Sequence, residues 1–157
     1  MTSYGIIPVD RIQKRLIESK TAAESRDVEI YAILARQYAE EMNDYNMMVQ
    51  ATRLYFDARR KTTELVIPYI SHGGDPRSHA ATLADFSITK QEWNRRQKEY
   101  NVSDEKAHEY FDNCIAKGWN PSIAGVLKYA DGKQSLDPQY ETCTCSHCGN
   151  VHRRFLP

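Results

Sequence analysis

Apolar residues recur at steps of three and four along the first half of the chain. Thr21-Ala22-Ala23-Glu24 is a capping-box sequence, and Val28, Tyr31, Ala32, Ala35, Tyr38, Ala39 and Met42 follow it as one stripe of helical period. A break at Asn43-Asp44 is followed by Met47, Met48, Ala51, Leu54, Tyr55, Ala58 and Leu65 at the same spacing, and Pro68 ends the run. The pattern predicts two long amphipathic helices joined by a short polar turn into an antiparallel hairpin. A shorter helix around Val9, Ile12, Leu16 and Ile17 packs across them. The stripe through Met47, Ala51, Leu54, Tyr55 and Ala58 covers more turns than a lone hairpin can bury, so either the rest of the chain or a second copy in a homodimer must cover it. Arg59-Arg60-Lys61 lies near the helix end, where cations suit the macrodipole, and reads as a solvated terminus.

Ser71-His72-Gly73-Gly74-Asp75-Pro76 combines paired glycines with Asp-Pro and marks a boundary. Beyond it, Leu83 to Arg96 reads as two short helices around a tight turn at Ser87, with Leu83, Phe86, Ile88 and Trp93 as the apolar contacts between them. That is the layout of a helix-turn-helix. Thr89 and Glu92 supply a reciprocal capping signal for the second helix. Two further helices follow. One is capped by Ser103, buried through Ala107, Tyr110, Phe111, Cys114 and Ile115, and closed by Gly118. The other opens at Asn120-Pro121, is buried through Ile123, Val126, Leu127 and Ala130, and ends before Gly132. The expected architecture is therefore all-α: a helical hairpin over 1–70, a helix-turn-helix domain over 75–131, and a linker with a Cys/His tail over 132–157.

Along the second helix of the turn motif, Trp93 and Arg96 fall inward, whereas Thr89, Lys90, Gln91, Asn94, Arg95 and Lys98 form the outer DNA-binding set. Amides, lysines and an arginine on one face can donate to phosphates and to base edges. The competing reading is a helical hairpin with a merely solvated basic face. The whole chain of 157 residues balances 21 basic against 21 acidic side chains, so its net charge is zero and any nucleic-acid contact must come from a local patch. Lys90, Arg95, Arg96 and Lys98 provide one, followed by the acidic run Glu99, Asp104, Glu105, Glu109 and Asp112. No apolar run approaches membrane-spanning length and no secretory signal follows Met1, so a soluble cytoplasmic protein with no membrane contact is expected.

Three of the four cysteines crowd into Cys143-Thr144-Cys145-Ser146-His147-Cys148. Neighbours that close suit thiolate ligands in a reducing compartment better than a disulfide scaffold. Cys143, Cys145, Cys148 and His152 stand in the order C-x-C-x2-C-x3-H, a ligand set that tetrahedral zinc accepts, with a knuckle-like spacing at 145–148. The zinc expected here is structural, because a terminal peptide offers no cleft for an open coordination position; His147 in place of one of the four, a site completed by a second subunit, and a reduced, metal-free tail are the alternatives. Cys114 reads as a small core residue, and His72, His79 and His108 lack partners at telling spacings. No nucleophile-base pair, phosphate loop or carboxylate constellation appears, so no enzymatic activity is expected.

Three segments together carry a family likeness: Ala58-Arg59-Arg60-Lys61-Thr62-Thr63-Glu64-Leu65, Leu83-Ala84-Asp85-Phe86-Ser87-Ile88-Thr89-Lys90, and Pro121-Ser122-Ile123-Ala124-Gly125-Val126-Leu127. From about Thr21 to Ala130 the chain resembles helical proteins of phages, plasmids and other mobile elements that are themselves similar to the helix-turn-helix part of ParB-type partition proteins. The resemblance implies a non-catalytic helical protein that binds double-stranded DNA as a regulator or accessory factor. Two positions depart from that pattern: Ser87 stands where glycine is usual, and Arg96 stands where the recognition helix carries tryptophan, with Trp93 one turn earlier. An inward arginine leaves room for a second function class, a mobile-element protein that binds and modulates a host or defence protein through its helices.

Overall fold

The computed structural model describes residues 8–70, 82–133, 140–144 and 151–155, the last two segments through their backbone pairing. It divides into two compact units, Met1–Val102 and Ser103–Pro157. Both are helical in their bodies, and among the described residues no helix is long and apolar enough to cross a membrane.

The first unit is built on an antiparallel hairpin of α2 (Ala22–Glu41) and α3 (Tyr45–Val66). Helix α2 starts as the capping box predicts. Thr21 Oγ1 accepts from Glu24 N, and the Glu24 carboxylate accepts from the N–H groups of Thr21 and Lys20. Those two backbone donors hold the Glu24 carboxyl below its ordinary pKa. The predicted break is a turn in which Asn43 takes a positive φ of 54° and Asp44 caps Met47 N. Along the hairpin, alanines at 32, 35, 51 and 58 let the backbones approach closely. Helix α1 (Val9–Glu18) lies against this seam through Ile12 and Leu16, joining Val28 and Leu54 in one cluster.

The stripe through Ala51, Leu54 and Ala58 is thus covered within one chain by α1 and α2, with Met47 and Tyr55 at its margin. The stripes are narrower than the sequence pattern suggested. Ile17 is 73% exposed because it is turned about 100° around α1 from the buried Leu16, and Met42, the C-cap residue of α2, is 60% exposed.

Helix α3 continues into a 3-10 turn, Ile67–Tyr69, around Pro68. A second 3-10 turn, Leu83–Phe86, precedes α4 (Lys90–Tyr100), which packs on α3. The boundary expected at 71–76 lies outside the described residues, and the expected grouping of 75–131 is corrected. Helix α4 belongs with the hairpin, and the division falls between Val102 and Ser103. The physical reason is the set of charged contacts α4 makes with α2 and α3, described below.

The second unit pairs α5 (Asp104–Lys117) with α6 (Ile123–Ala130). Ser103 caps Lys106 N, and Gly118 closes α5 at φ 70°. Tyr110 anchors the pair: its ring lies 5.2 Å from Phe111 and 5.9 Å from Tyr129, and its hydroxyl accepts from Ser122 N at 3.2 Å. The hydroxyl also rests against Gly125 so closely that a Cβ there would sit 2.1 Å from it. Ile115, expected in the core, is 46% exposed, whereas Cys114 is fully buried. Burial pushes the Cys114 thiol up to about 12, as suits a core residue rather than a nucleophile.

The fold is all-α in its body, as expected, and within the segment expected to be a linker and tail β1 (Tyr140–Thr144) and β2 (Val151–Phe155) add a short two-stranded antiparallel ribbon. The β-branched and aromatic residues Tyr140, Thr142, Thr144, Val151 and Phe155 favour that pairing.

Candidate nucleic-acid interface

The segment expected to carry a helix-turn-helix forms a single 3-10 turn, a left-handed residue and then α4. Asp85 holds the 3-10 turn by accepting from Thr82 N at 2.6 Å and from Thr82 Oγ1 at 3.0 Å, contacts that lower its pKa. Ser87 adopts φ 53° and ψ 38°, the conformation that glycine reaches without a Cβ penalty, which explains why glycine suits this position. Ile88 N then bonds Leu83 O at 3.0 Å, and Thr89 Oγ1 accepts from Glu92 N at 3.1 Å to start α4. The expected reciprocal cap is only half made. The Glu92 carboxylate turns along the helix to Arg96, 2.9 Å away, instead of back to Thr89. Arg26 of α2 fastens the turn from outside by donating to Phe86 O.

The inner face of α4 is Trp93, Arg96 and Glu99. Trp93 packs with Val66 and Ile88, flanked by Ile67, Ile70, Leu83 and Phe86. Arg96 is 1% exposed, and its two terminal nitrogens meet the two carboxylate oxygens of Glu29 on α2 at 2.8 and 2.9 Å. Glu29 also accepts from Thr62 Oγ1 at 2.7 Å, and Thr62 and Ser25 share a hydroxyl contact at 3.0 Å. One turn along α4, Glu99 is fully buried and receives Arg59 of α3 in a second two-pronged pair, at 2.6 and 3.1 Å. Burial works against the charge on both arginines. The Glu29 carboxylate outweighs it at Arg96 and the Glu99 carboxylate outweighs it at Arg59, so both guanidinium groups are held above their ordinary pKa.

Arg59-Arg60-Lys61 therefore needs correction as a solvated terminus. Arg59 is 7% exposed and lies in the pair with Glu99; Arg60 stacks over Phe56 at 5.5 Å; and Lys61 Nζ donates to the carbonyls of Leu16 and Ile17 at the end of α1. The pattern held a signal for this arrangement. Ser25 and Glu29 lie on the same face as Val28 and Ala32, and Arg59, Thr62 and Thr63 continue the face of Ala58, so the apolar stripes run on into polar residues at one end of the hairpin. Residue type concealed their burial.

With the inner face anchored, Thr89, Lys90, Gln91, Asn94, Arg95 and Lys98 all stand exposed along one side of α4. Arg95 is tied back through Nε to Glu99 Oε1 at 3.3 Å, its side chain remaining 56% exposed. The arrangement is a short helix fixed from behind at two points and presenting amides and cations outward.

In the ribbon, Cys143 lies directly opposite His152 in the antiparallel register. The backbone register thus brings two of the four expected metal-ligand positions opposite each other. Cys145 and Cys148 lie outside the described residues, and among the described residues no cluster of three or more His, Cys, Asp or Glu forms elsewhere. No protein-family model, curated protein or solved structure matches this chain.

Proposed function

We propose that the protein is a non-catalytic, sequence-selective DNA-binding regulator or accessory factor, with α4 as the helix of a reduced helix-turn-helix that enters the major groove. The observation that carries this reading is the exposed row Thr89, Lys90, Gln91, Asn94, Arg95 and Lys98 on a helix whose opposite face is anchored by two bidentate ion pairs. At about 1.5 Å per residue, α4 is long enough to lie in a groove about 12 Å wide. Lys90 and Lys98 sit towards its two ends to meet phosphates, and Gln91, Asn94 and Arg95 lie between them to meet base edges. A phage or other mobile element as its source rests on the family resemblance alone.

Enrichment of bound duplexes from a random-sequence library tests the reading. The wild-type protein should recover a defined sequence, and Asn94→Ala should cost about 1–3 kcal/mol in affinity for it if Asn94 contacts a base. Failure of the folded protein to retain any duplex at low salt would remove it. A second reading, binding to a host or defence protein, is favoured by one observation: α2 exposes Ile30, Ile33 and Leu34 at helical spacing, beside a groove of about 250 Å³ lined by Ile33, Arg36, Gln37, Glu40 and Tyr55. Protein captured without nucleic acid would support it.

We also propose one structural zinc per chain, held by Cys143, Cys145, Cys148 and His152, supported by the facing of Cys143 and His152. Zinc there would cross-link the ribbon and take part in no reaction. Elemental analysis of untagged protein should find one equivalent; metal well below that with the thiols reduced would reject the site. Recognition of a two-fold DNA site would call for a homodimer, which light scattering in the presence of the recovered duplex would detect as a doubled mass.

A further inference from the structure

We propose that Arg95 reads a guanine edge in duplex DNA and that Glu99 is the residue that positions it, an inference that rests on the DNA-binding reading above. Arg95 Nε lies 3.3 Å from Glu99 Oε1. Glu99 is itself immobilised, fully buried and clamped through both oxygens by Arg59. Arg59 in turn lies beside the Tyr55 ring at 5.6 Å and donates to its hydroxyl at 3.3 Å. A continuous chain of contacts thus runs from the core of α3 through a buried carboxylate to a side chain on the exposed face.

Two consequences follow from elementary chemistry. A long side chain on an open helix face samples many rotamers, and freezing one of them opposes binding. Drawing Nε towards a fixed carboxylate in an ion pair narrows the range of the side chain before a ligand arrives and leaves the edge formed by Nη1 and Nη2 for a second partner. That edge carries parallel N–H donors, which match O6 and N7 of guanine; adenine presents an amino donor at the corresponding site and cannot accept both. The charge of Glu99 is already balanced by Arg59, so Arg95 keeps its own charge, and the planar set of directional donors is what favours a base edge. The lysines at 90 and 98 carry no such acidic partner in any ion pair among the described residues and suit phosphate better.

The test is duplex enrichment from a random-sequence library with the wild-type protein, Arg95→Ala, Arg95→Lys and Glu99→Gln, with thermal melts to establish that each is folded. The wild-type site should contain an invariant guanine. Each variant should bind that site about tenfold or more weaker and lose base preference at that position only. Because Glu99→Gln leaves Arg59 with only Glu92, 4.0 Å away, as counter-charge and can unfold the protein, the positioning role has a second readout in unmutated protein: ¹⁵N relaxation of the Arg95 Nε–H. Order close to that of the helix backbone supports it, and free motion overturns it. If Arg95→Ala and Arg95→Lys leave every base preference intact while affinity falls evenly, Arg95 contacts phosphate, and the guanine assignment falls while DNA binding stands. If folded Glu99→Gln keeps the guanine preference that Arg95→Ala loses, the role of Glu99 falls. If the wild-type protein recovers no sequence, the DNA-binding reading itself fails.

Discussion

Helix α1 meets the α2–α3 hairpin with Ile12 and Leu16 packed among Val28, Ala32, Leu54 and Ala58, and Lys61 closes its end through two carbonyls. Helix α4 meets the same hairpin with one tryptophan and two buried ion pairs, Arg96 to Glu29 and Glu99 to Arg59. The two modes differ in what they specify. Apolar contact is non-directional and tolerates small rotations, whereas a two-pronged guanidinium-carboxylate pair fixes both angle and register. Burying charge also contributes little net stability, since the lost hydration offsets most of the attraction. The hairpin therefore gains stability chiefly where α1 docks and holds a defined orientation chiefly where α4 docks, as the proposed DNA-contact role of α4 would require.

The strongest way to break this contrast is Glu29→Ala, which removes the two-pronged partner of Arg96, leaving it only the partly exposed Glu92, and takes away one of the acceptors of Thr62 Oγ1. Denaturant unfolding should show a loss of about 3–5 kcal/mol. The paired change Glu29→Met with Arg96→Met should restore most of that stability while the orientation of α4 relaxes, visible as broadened amide signals over 90–100. A double variant as destabilised as Glu29→Ala would show that the pair contributes stability rather than geometry.

Ile12→Ala probes the apolar side and should cost about 2–5 kcal/mol, with no compensating second change available by charge removal. A loss well under 1 kcal/mol would mean that α1 is not held as described.

Steric fit gives an intermediate effect in the second unit. Gly125→Ala places a methyl group against the Tyr110 hydroxyl and should destabilise by about 1–3 kcal/mol, and Gly125→Ala with Tyr110→Phe should recover part of it.

At Ser87 the sign reverses. Ser87→Gly relieves a left-handed residue ahead of α4 and should raise stability by a few tenths to about 1 kcal/mol, net of the extra freedom glycine has when unfolded. A decrease in melting temperature would show that the serine side chain has a role beyond its φ.

The smallest effect is pH-dependent. Glu24 and Asp85 have folded-state pKa values below their unfolded ones, so the stability they contribute is present above the ordinary carboxylate range and is lost as pH falls through the folded values. Both are exposed, so Glu24→Gln and Asp85→Asn should flatten the acid limb of the stability profile only slightly, leaving the melting temperature near neutral pH the more informative control.

The periodicity of apolar residues marked α1, α2, α3, α5 and α6 and the caps of α2 and α5, because burial of a stripe and capping of an end are decided within a few residues along the chain; α6, expected to open at Asn120-Pro121, is capped instead by Ser122. It also determined which side of α4 faces outward, since Trp93 and Arg96 share a face whatever they touch. Tertiary structure alone decided the partners of the inward charges. Glu29 and Arg96 are separated by 67 positions and Arg59 and Glu99 by 40, and although helical period can place such residues on an inward face, nothing local names the partner each charge will meet. The same limit made Arg59-Arg60-Lys61 look like an exposed helix end, and it grouped α4 with the helices that follow it in sequence instead of the hairpin on which it packs. The ribbon at 140–144 and 151–155 was hidden for a related reason: five-residue strands have too few turns of pattern to stand out, and pairing between them is settled by contact across the chain. Hydrophobic stripes are written in one dimension, whereas charge pairing and strand pairing exist only after the chain has folded back on itself.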